Sequence, residues 1–368
     1  MPQDSGHRFQ VDLRGLIDLL SQHLYSGPSV FIRELLQNGV DAIAARRGLD
    51  AEHEGFIELE VMSGGVDQPP TLMFRDNGIG LTEEEAHQFL ATIGMSSKRG
   101  AVASRGEGFL GQFGIGLLSC FLVSDEIVVI SKSARDLESP TLEWRGAADG
   151  TYSVRTIERD MEPGTQIYLR AKPSGLEWME VERIRGLCQK YGRYLHHRIE
   201  LTANGVTESL NELPLWEHDT NDSFEREHLM KVGQDLFDRS FFDVFPIQSE
   251  FGQVQGLAFV LGRAAHSGSA QCHRTYLKNM LLSEKTQNLL PDWAFFVQCV
   301  VNVKDLRPTA SRESFYEDAS FEAAREDLGE CLRRYLINLS RQDPVRLRQF
   351  IAIHDTSSRL WPSMTMNA

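Results

Sequence analysis

The sequence predicts an α+β protein of two successive domains, residues 1–200 and 201–368. Three observations carry that prediction. Apolar and polar residues alternate at 56–62 (FIELEVM), and 71–76 (TLMFRD) reads as a second strand; alternation is the period of a half-buried sheet. Helical apolar stripes lie around these strands, opened or closed by capping residues. The same mixture begins again after a polar connector, NELPLWEHDTNDSF at 211–224, in which Leu213, Leu215 and Trp216 are expected to dock.

Taken in order, residues 9–13 alternate as a short strand. Leu16, Ile17, Leu19, Leu20 and Leu24 form a helical stripe that SGPS at 26–29 breaks. Ser29 is the expected N-cap of a second helix, which runs to about Arg47 and stops at Gly48. The strand 71–76 ends in the turn DNGIG at 76–80, and Thr82 with Glu85 forms a capping box for a helix containing Ala86, Phe89 and Leu90. The small, polar, glycine-rich run SSKRGAVASRGEGFLG at 96–111 fits a mobile segment, and IGLLSCFL at 115–122 returns to helix. Strands are expected at 126–131, 151–158 and 165–170, then a helix over 177–196. The second half predicts a helix at 224–237 and strands at 242–248, 254–261, 273–277 and 293–301. Of these, LAFVL at 257–261 is apolar enough to be buried on both faces, and helices at about 315–339 and 343–353 close the chain.

Composition narrows the class. With 41% hydrophobic and 24% charged residues the chain can bury a sizeable core and is not globally disordered. Acidic residues outnumber basic ones 52 to 38, for a net charge of -14, which argues against a binder of nucleic acid or anionic membrane. Five widely spaced cysteines without CxxC spacing exclude a zinc knuckle or redox dithiol and read as free, mostly buried thiols of a cytoplasmic protein. The N-terminal residues show no apolar signal core, and no apolar run approaches the ~20 residues a spanning helix needs.

Chemistry concentrates in three blocks. In FIRELLQNGVDAI at 31–43, Glu34, Asn38 and Asp41 share one helix face. Alone, that face reads as solvated. In RDNGIG at 75–80, Asp76 sits at a strand end before Gly78 and Gly80, where backbone can approach a ligand closely and a carboxylate can accept from an exocyclic amine. Alone, DNG is also a common hairpin turn. In GQFGIG at 111–116, Gly111, Gly114 and Gly116 open a helix, and successive N–H groups can cradle an anion. Neither the Walker nor the Rossmann glycine pattern is present.

Together with Gly164-Thr165, these blocks resemble the ATP-binding fold shared by Hsp90-type chaperones, DNA gyrase B, MutL proteins and sensor histidine kinases. The wording is most similar to the Hsp90/HtpG family, in FIRELLQNGVDAI, TIGMSSK, FLGQFGIGLLSCFLVSD and PGTQIYL. LRPTASRESF at 306–315, HRTYLKNMLLSE and NLLPDWAFFVQCVVN resemble the middle domain of the same family. The resemblance covers about residues 10–350 and implies a Bergerat-type ATP-binding α/β sandwich, then part of an α/β middle domain.

What the resemblance implies can be stated residue by residue. Glu34 matches the general base that activates water. Asn38 matches the side chain completing the Mg²⁺ shell. Asp41 lies on the pocket face. Asp76 matches the aspartate that reads the adenine amino group, with Gly78 and Gly80 beside the base and Thr165 in its water network. Gly111, Gln112, Phe113, Gly114, Ile115 and Gly116 match the phosphate turn. Lys98 can compensate for Met95, which stands where lysine is common, and Arg312 matches the arginine offered to the γ-phosphate. Phe89, Leu117 and Tyr316 depart from the family wording. The implied function is an ATP-dependent chaperone that binds ATP/ADP and Mg²⁺, acts on unfolded or partly folded client proteins and self-associates with nucleotide. A MutL- or gyrase-like DNA-acting ATPase, or a nucleotide switch with little turnover, are the alternatives.

Overall fold

The computed structural model describes Gly15 and residues 27–65, 68–90, 116–265, 271–309, 311 and 313–354. The expected strand at 9–13, the helical stripe at 16–24 and the glycine-rich run at 96–111 lie outside the described residues. The chain divides into two compact units, one up to Asn211 and one from Glu212.

The first unit is built on one mixed eight-stranded sheet in the order β5-β4-β3-β6-β2-β1-β7-β8. Its strands are β1 (Phe56–Met62), β2 (Thr71–Asp76), β3 (Ser124–Lys132), β4 (Thr141–Ala147), β5 (Tyr152–Ile157), β6 (Gly164–Ala171), β7 (Arg198–Ala203) and β8 (Val206–Ser209). All neighbours are antiparallel except β1 and β7. Helix α1 (Val30–Arg47) packs on β1 and β2, and also against helix α2 (Val181–Gly192) and the 3-10 turn Gly116–Leu122. Phe31, Ile32, Leu35, Leu36 and Ile43 of α1 are fully buried against this layer, with Ile57, Leu59, Leu72 and Phe74 from the sheet.

The capping box at Thr82 forms as expected: Thr82 Oγ1 accepts from Glu85 N–H and the Glu85 carboxylate accepts from Thr82 N–H. It opens a single turn that continues as a π-helix over Ala86–Leu90. Ser29 does not act as a side-chain cap. The first N–H groups of α1 are instead met by carbonyls of the preceding turn, Val30 by Gly27 and Phe31 by Pro28. The expected helix at 177–196 is two pieces, a 3-10 turn Pro173–Met179 and α2, because Glu180 between them is extended. Three strands of this sheet, β4, β7 and β8, were not among those expected, although TLEWRGA and RIELTA both alternate apolar and polar residues. In β4, Glu143 takes a polar position between Leu142 and Trp144, yet it is buried, and Arg145 and Arg155 both bind its carboxylate. The pair β7–β8 carries the first unit past residue 200.

The second unit has a five-stranded sheet in the order β12-β11-β13-β10-β9. It comprises β9 (Phe241–Ser249), β10 (Val254–Leu261), β11 (His273–Leu277), β12 (Met280–Thr286) and β13 (Val297–Val303). Lys278 and Asn279 both have positive φ and turn β11 tightly into β12. Central strand β13 is buried at all seven residues, and the segment before it, expected as strand from 293, is a 3-10 turn Asp292–Ala294 that follows Pro291. In the connector, Leu215 is buried and Trp216 lies 5.3 Å from the Tyr276 ring, whereas Leu213 is exposed.

Helices α3 (Ser223–Phe237), α4 (Ala319–Gln342) and α5 (Pro344–His354) meet the second sheet at one buried carboxylate, Asp243 on β9. Arg226 of α3 and the Tyr335 hydroxyl of α4 donate to it, Val244 N–H donates at 2.8 Å, and Arg346 of α5 pairs with it at 3.4 Å. Removing the acceptor leaves two guanidinium groups and a phenol without their partner. Asp243→Ala is therefore expected to destabilise the protein by roughly 3–5 kcal/mol, read from urea unfolding; a loss below 1 kcal/mol would show that these helices are held by apolar packing alone.

Candidate functional site

The polar face of α1 is not solvated. Glu34 and Asp41 are 5% and 3% exposed, with Asn38 half-buried between them. Phe31, Ile32, Leu35, Leu36 and Ile43 on other faces of α1 are equally buried, so the fold places this acidic row inside the first unit. The neighbouring Arg33, itself buried, donates to Glu34 Oε1 at 3.2 Å. Glu34 Oε2 faces Gly116, where a Cβ would lie 2.3 Å from it. The absence of a side chain at Gly116 leaves room for the carboxylate beside the turn Gly116–Leu122. Burial and the Glu34 charge together push the Cys120 thiol up, so the cysteine beside this acid stays protonated.

Asp76 ends β2 and is 4% exposed. The chain that follows does not return as a hairpin but runs through buried Gly78, Ile79 and Gly80 to the Thr82 capping box. Asp76 Oδ1 accepts from Gly78 N–H at 2.9 Å, and Ile79 N–H donates to Ala42 O of α1 at 3.0 Å. That bond seats the turn on the helix carrying Glu34, Asn38 and Asp41. On the neighbouring strand, Thr165 is the register partner of Asp76, and Ser131 of β3 is the partner of Thr165. Gly164 has φ +145, and a Cβ there would sit 2.3 Å from Asp76 O, so the strand end and the turn before Thr165 are in direct backbone contact. Ser131 Oγ lies 3.1 Å from Thr165 Oγ1, donates to Gly164 O at 2.9 Å and accepts from Leu81 N–H at 2.9 Å. Asp76, Thr165 and Ser131 therefore form one row across three strands.

Burial is the dominant influence on Asp76. It pushes the carboxyl up to about 7, against the Gly78 hydrogen bond and the Arg75 charge, which pull it down. A carboxyl poised there, with lone pairs still to offer, suits an exchangeable donor. Among the described residues no group of three or more His, Cys, Asp or Glu side chains could hold a metal ion. The oxygen donors on the α1 face are the Asn38 amide and the Glu34 and Asp41 carboxylates. A single amide oxygen fits an ion that keeps most of its shell for phosphate and water, which is the habit of Mg²⁺.

The structure thus brings Glu34, Asn38, Asp41, Asp76, Gly78, Gly80, Gly116 and Thr165 into the first unit, on α1 and on the sheet ends and turns around it. Lys98, Gly111, Gln112, Phe113, Gly114, Ile115 and Arg312 lie outside the described residues, as does Met95. Leu117 is half-buried, and Tyr316 is exposed under the Arg307 guanidinium. Sequence reasoning missed Arg33 and Ser131. An arginine inside an apolar run beside an acid was a usable signal for the first. The second is visible only once the β3–β6 register is known.

Residues 25–168 match the family described as "Histidine kinase-, DNA gyrase B-, and HSP90-like ATPase". The chain is similar to the mitochondrial heat shock protein 75 kDa of Rattus norvegicus, 28% identical over 365 residues, covering 94% of this chain and 50% of that protein. It is 27% identical to the mitochondrial TNF receptor-associated protein 1 homolog of Dictyostelium discoideum, covering 93% of this chain and 50% of that one. It is also 28% identical to the chaperone protein HtpG of Polaromonas sp. (strain JS666 / ATCC BAA-500), covering 94% and 60%. The chain therefore spans 50–60% of the length of these relatives. Among the described residues no helix is long and apolar enough to cross a membrane.

The Asp76 environment gives a pH test. The folded carboxyl holds its proton up to about pH 7, whereas the unfolded one releases it near 3.8. The stability this provides is complete below the unfolded value and is lost as pH rises through the folded one. Asp76→Asn stays neutral throughout and can still accept from Gly78. In urea melts of nucleotide-free protein it should match wild type near pH 4 and exceed it at pH 8, by up to roughly 4 kcal/mol. The same offset at both pH values would show that the Asp76 carboxyl is not perturbed by burial.

Proposed function

The chain belongs to the Hsp90/HtpG family, and on that premise we propose that it binds ATP with Mg²⁺, hydrolyses it, and couples the cycle to conformational change in the folding of client proteins. The observation that carries this reading is the buried acidic face of α1 seated on the Asp76 turn. Such burial is costly unless a ligand or partner uses those groups.

In this reading Asp76 accepts from the adenine amino group, with Thr165, Gly78 and Gly80 beside the base. The Asn38 amide oxygen completes the metal shell, and Asp41 lines the pocket. Asn38 would hold Mg²⁺ together with phosphate and water, and the ion would supply charge neutralisation during phosphoryl transfer. Glu34 takes the proton of the attacking water. Its Oε1 accepts from Arg33, and its Oε2 lies on the Gly116 side. The turn Gly111–Gly116 holds the phosphates by its N–H groups, Lys98 adds a cation, and Arg312 offsets charge on the γ-phosphate. Unfolded or partly folded proteins as clients, nucleotide-dependent self-association and a cytoplasmic setting belong to the same proposal.

Three substitutions separate binding from chemistry. Glu34→Ala should lower kcat by about 10²–10⁴-fold and keep ATP affinity within about threefold. Asp76→Asn should weaken ATP and ADP alike, on the order of tenfold, because the base contact is common to both. Arg312→Ala should lower turnover while sparing ADP, and its defect should not add fully to that of Glu34→Ala. Steady-state ATPase rates and calorimetric titrations on folded protein give all of these values. Normal turnover by Glu34→Ala would sink the general-base assignment, and wild type that binds ATP without turning it over at any protein concentration would make the chain a nucleotide switch instead.

A further inference from the structure

Arg46 lies in the last turn of α1, the helix that carries Glu34, Asn38 and Asp41, and it is half-buried. One nitrogen of its guanidinium, Nη1, donates to two backbone carbonyls far apart in sequence, Asn77 O at 2.8 Å and Pro163 O at 3.1 Å. Asn77 is the residue after Asp76. Pro163 is the residue before Gly164-Thr165. A single cation therefore ties α1 to both segments that flank the Asp76–Thr165 pair.

The tie is reinforced on the Asn77 side. Asn77 Oδ1 accepts from Phe56 N–H at 2.8 Å, its Nδ2 donates to Glu54 O at 2.8 Å, and a ring nitrogen of His53 lies 2.9 Å from Asn77 O. On the Pro163 side, Ser131 Oγ and the pairing of Gly164 with Lys132 tie the turn to β3, and Arg46 is the residue that ties it to the helix. Asp76 and Gly164 are already in backbone contact, and a shift of either segment therefore moves the carboxylate relative to Thr165. Reading an exocyclic amine depends on holding an acceptor to within about 0.5 Å.

We propose that Arg46 is a positioning residue for base recognition, holding the Asp76 and Thr165 segments in register on α1 so that the pocket selects a 6-amino purine over a 6-oxo purine. The inference rests on the adenine-nucleotide reading above. The Arg46 guanidinium is spent on two backbone carbonyls, so in this reading its loss should act on selectivity and KM and leave kcat alone.

The test compares ADP with IDP, which carries an oxo group in place of the 6-amine, by calorimetry on wild type, Arg46→Ala, Arg46→Gln and Arg46→Lys. In Arg46→Ala, ADP affinity should fall about tenfold while IDP affinity stays within about twofold, so that the preference collapses. KM for ATP should rise with kcat within about twofold. Because both bonds come from one nitrogen, the lysine ammonium, with three donors, should recover most of the preference. If Arg46→Ala does not fold, Arg46→Gln, which is too short to reach both carbonyls, gives the same reading. Equal losses for ADP and IDP would reduce Arg46 to a general stabiliser and overturn the proposal. So would a wild-type preference that survives in the alanine and glutamine variants, which leaves the adenine reading standing. Wild type with no preference for ADP over IDP would instead overturn the adenine reading and the proposal with it.

Discussion

The structure of the first unit depends on one constraint: the acidic face of α1 is buried, and buried carboxylates must be matched by donors or kept neutral. A surface helix would turn Glu34 and Asp41 to water. Here the same helix also supplies core residues on its other faces, so every neighbour has to accommodate the acids. Arg33 does so by ion pairing, Gly116 by yielding space, and the Ile79–Ala42 hydrogen bond by drawing a loop onto the helix. The candidate site follows from that arrangement, in which elements distant in sequence are packed around a face that no single one of them can satisfy.

The two units offer a contrast between buried carboxylates. Asp243 is met by two arginines, a tyrosine hydroxyl and a backbone N–H, which is a closed set that leaves nothing for a ligand. Asp76 receives one backbone donor, and burial raises its carboxyl to about 7. Both are equally hidden from solvent. Donor supply, and not burial, separates a carboxylate that joins helices to a sheet from one that can trade a proton or a hydrogen bond with something bound.

Much of this was legible in the sequence, for identifiable reasons. Strands such as β1 alternate cleanly, and the Thr82–Glu85 box is a local signal that needs no tertiary partner. The candidate residues on α1 and at Asp76 could be singled out because their spacing and neighbours carry a resemblance, and the structure buries them in the same unit. Whether the α1 face was solvated or buried was not readable, since Glu34, Asn38 and Asp41 have the same spacing in either case. What failed locally depended on partners elsewhere. Ser29 looks like a cap, but carbonyls of Gly27 and Pro28 take that role. Glu143 looks like a solvent-facing position of an alternating strand, yet it is buried with two arginines on its carboxylate. Ser131 has no signal of its own and matters only through the register that places it beside Thr165.

The same reasoning explains why the Asp76 side of the candidate site can be built largely from main chain. Asp76, Gly164 and Thr165 lie where two antiparallel strands meet, and their relative positions are set by ladder hydrogen bonds and by a glycine that permits close contact. A strand ladder fixes position along and across the sheet but leaves the turns at its ends free to pivot. Those turns are held by bonds to α1, from Ile79 N–H on one side and from the Arg46 guanidinium on the other. The helix that presents the acidic face is thus also the reference against which the Asp76 carboxylate is placed. Groups at opposite ends of a nucleotide would then share one rigid element, and a change at one end of α1 would reach the other through helix geometry without rearranging the sheet.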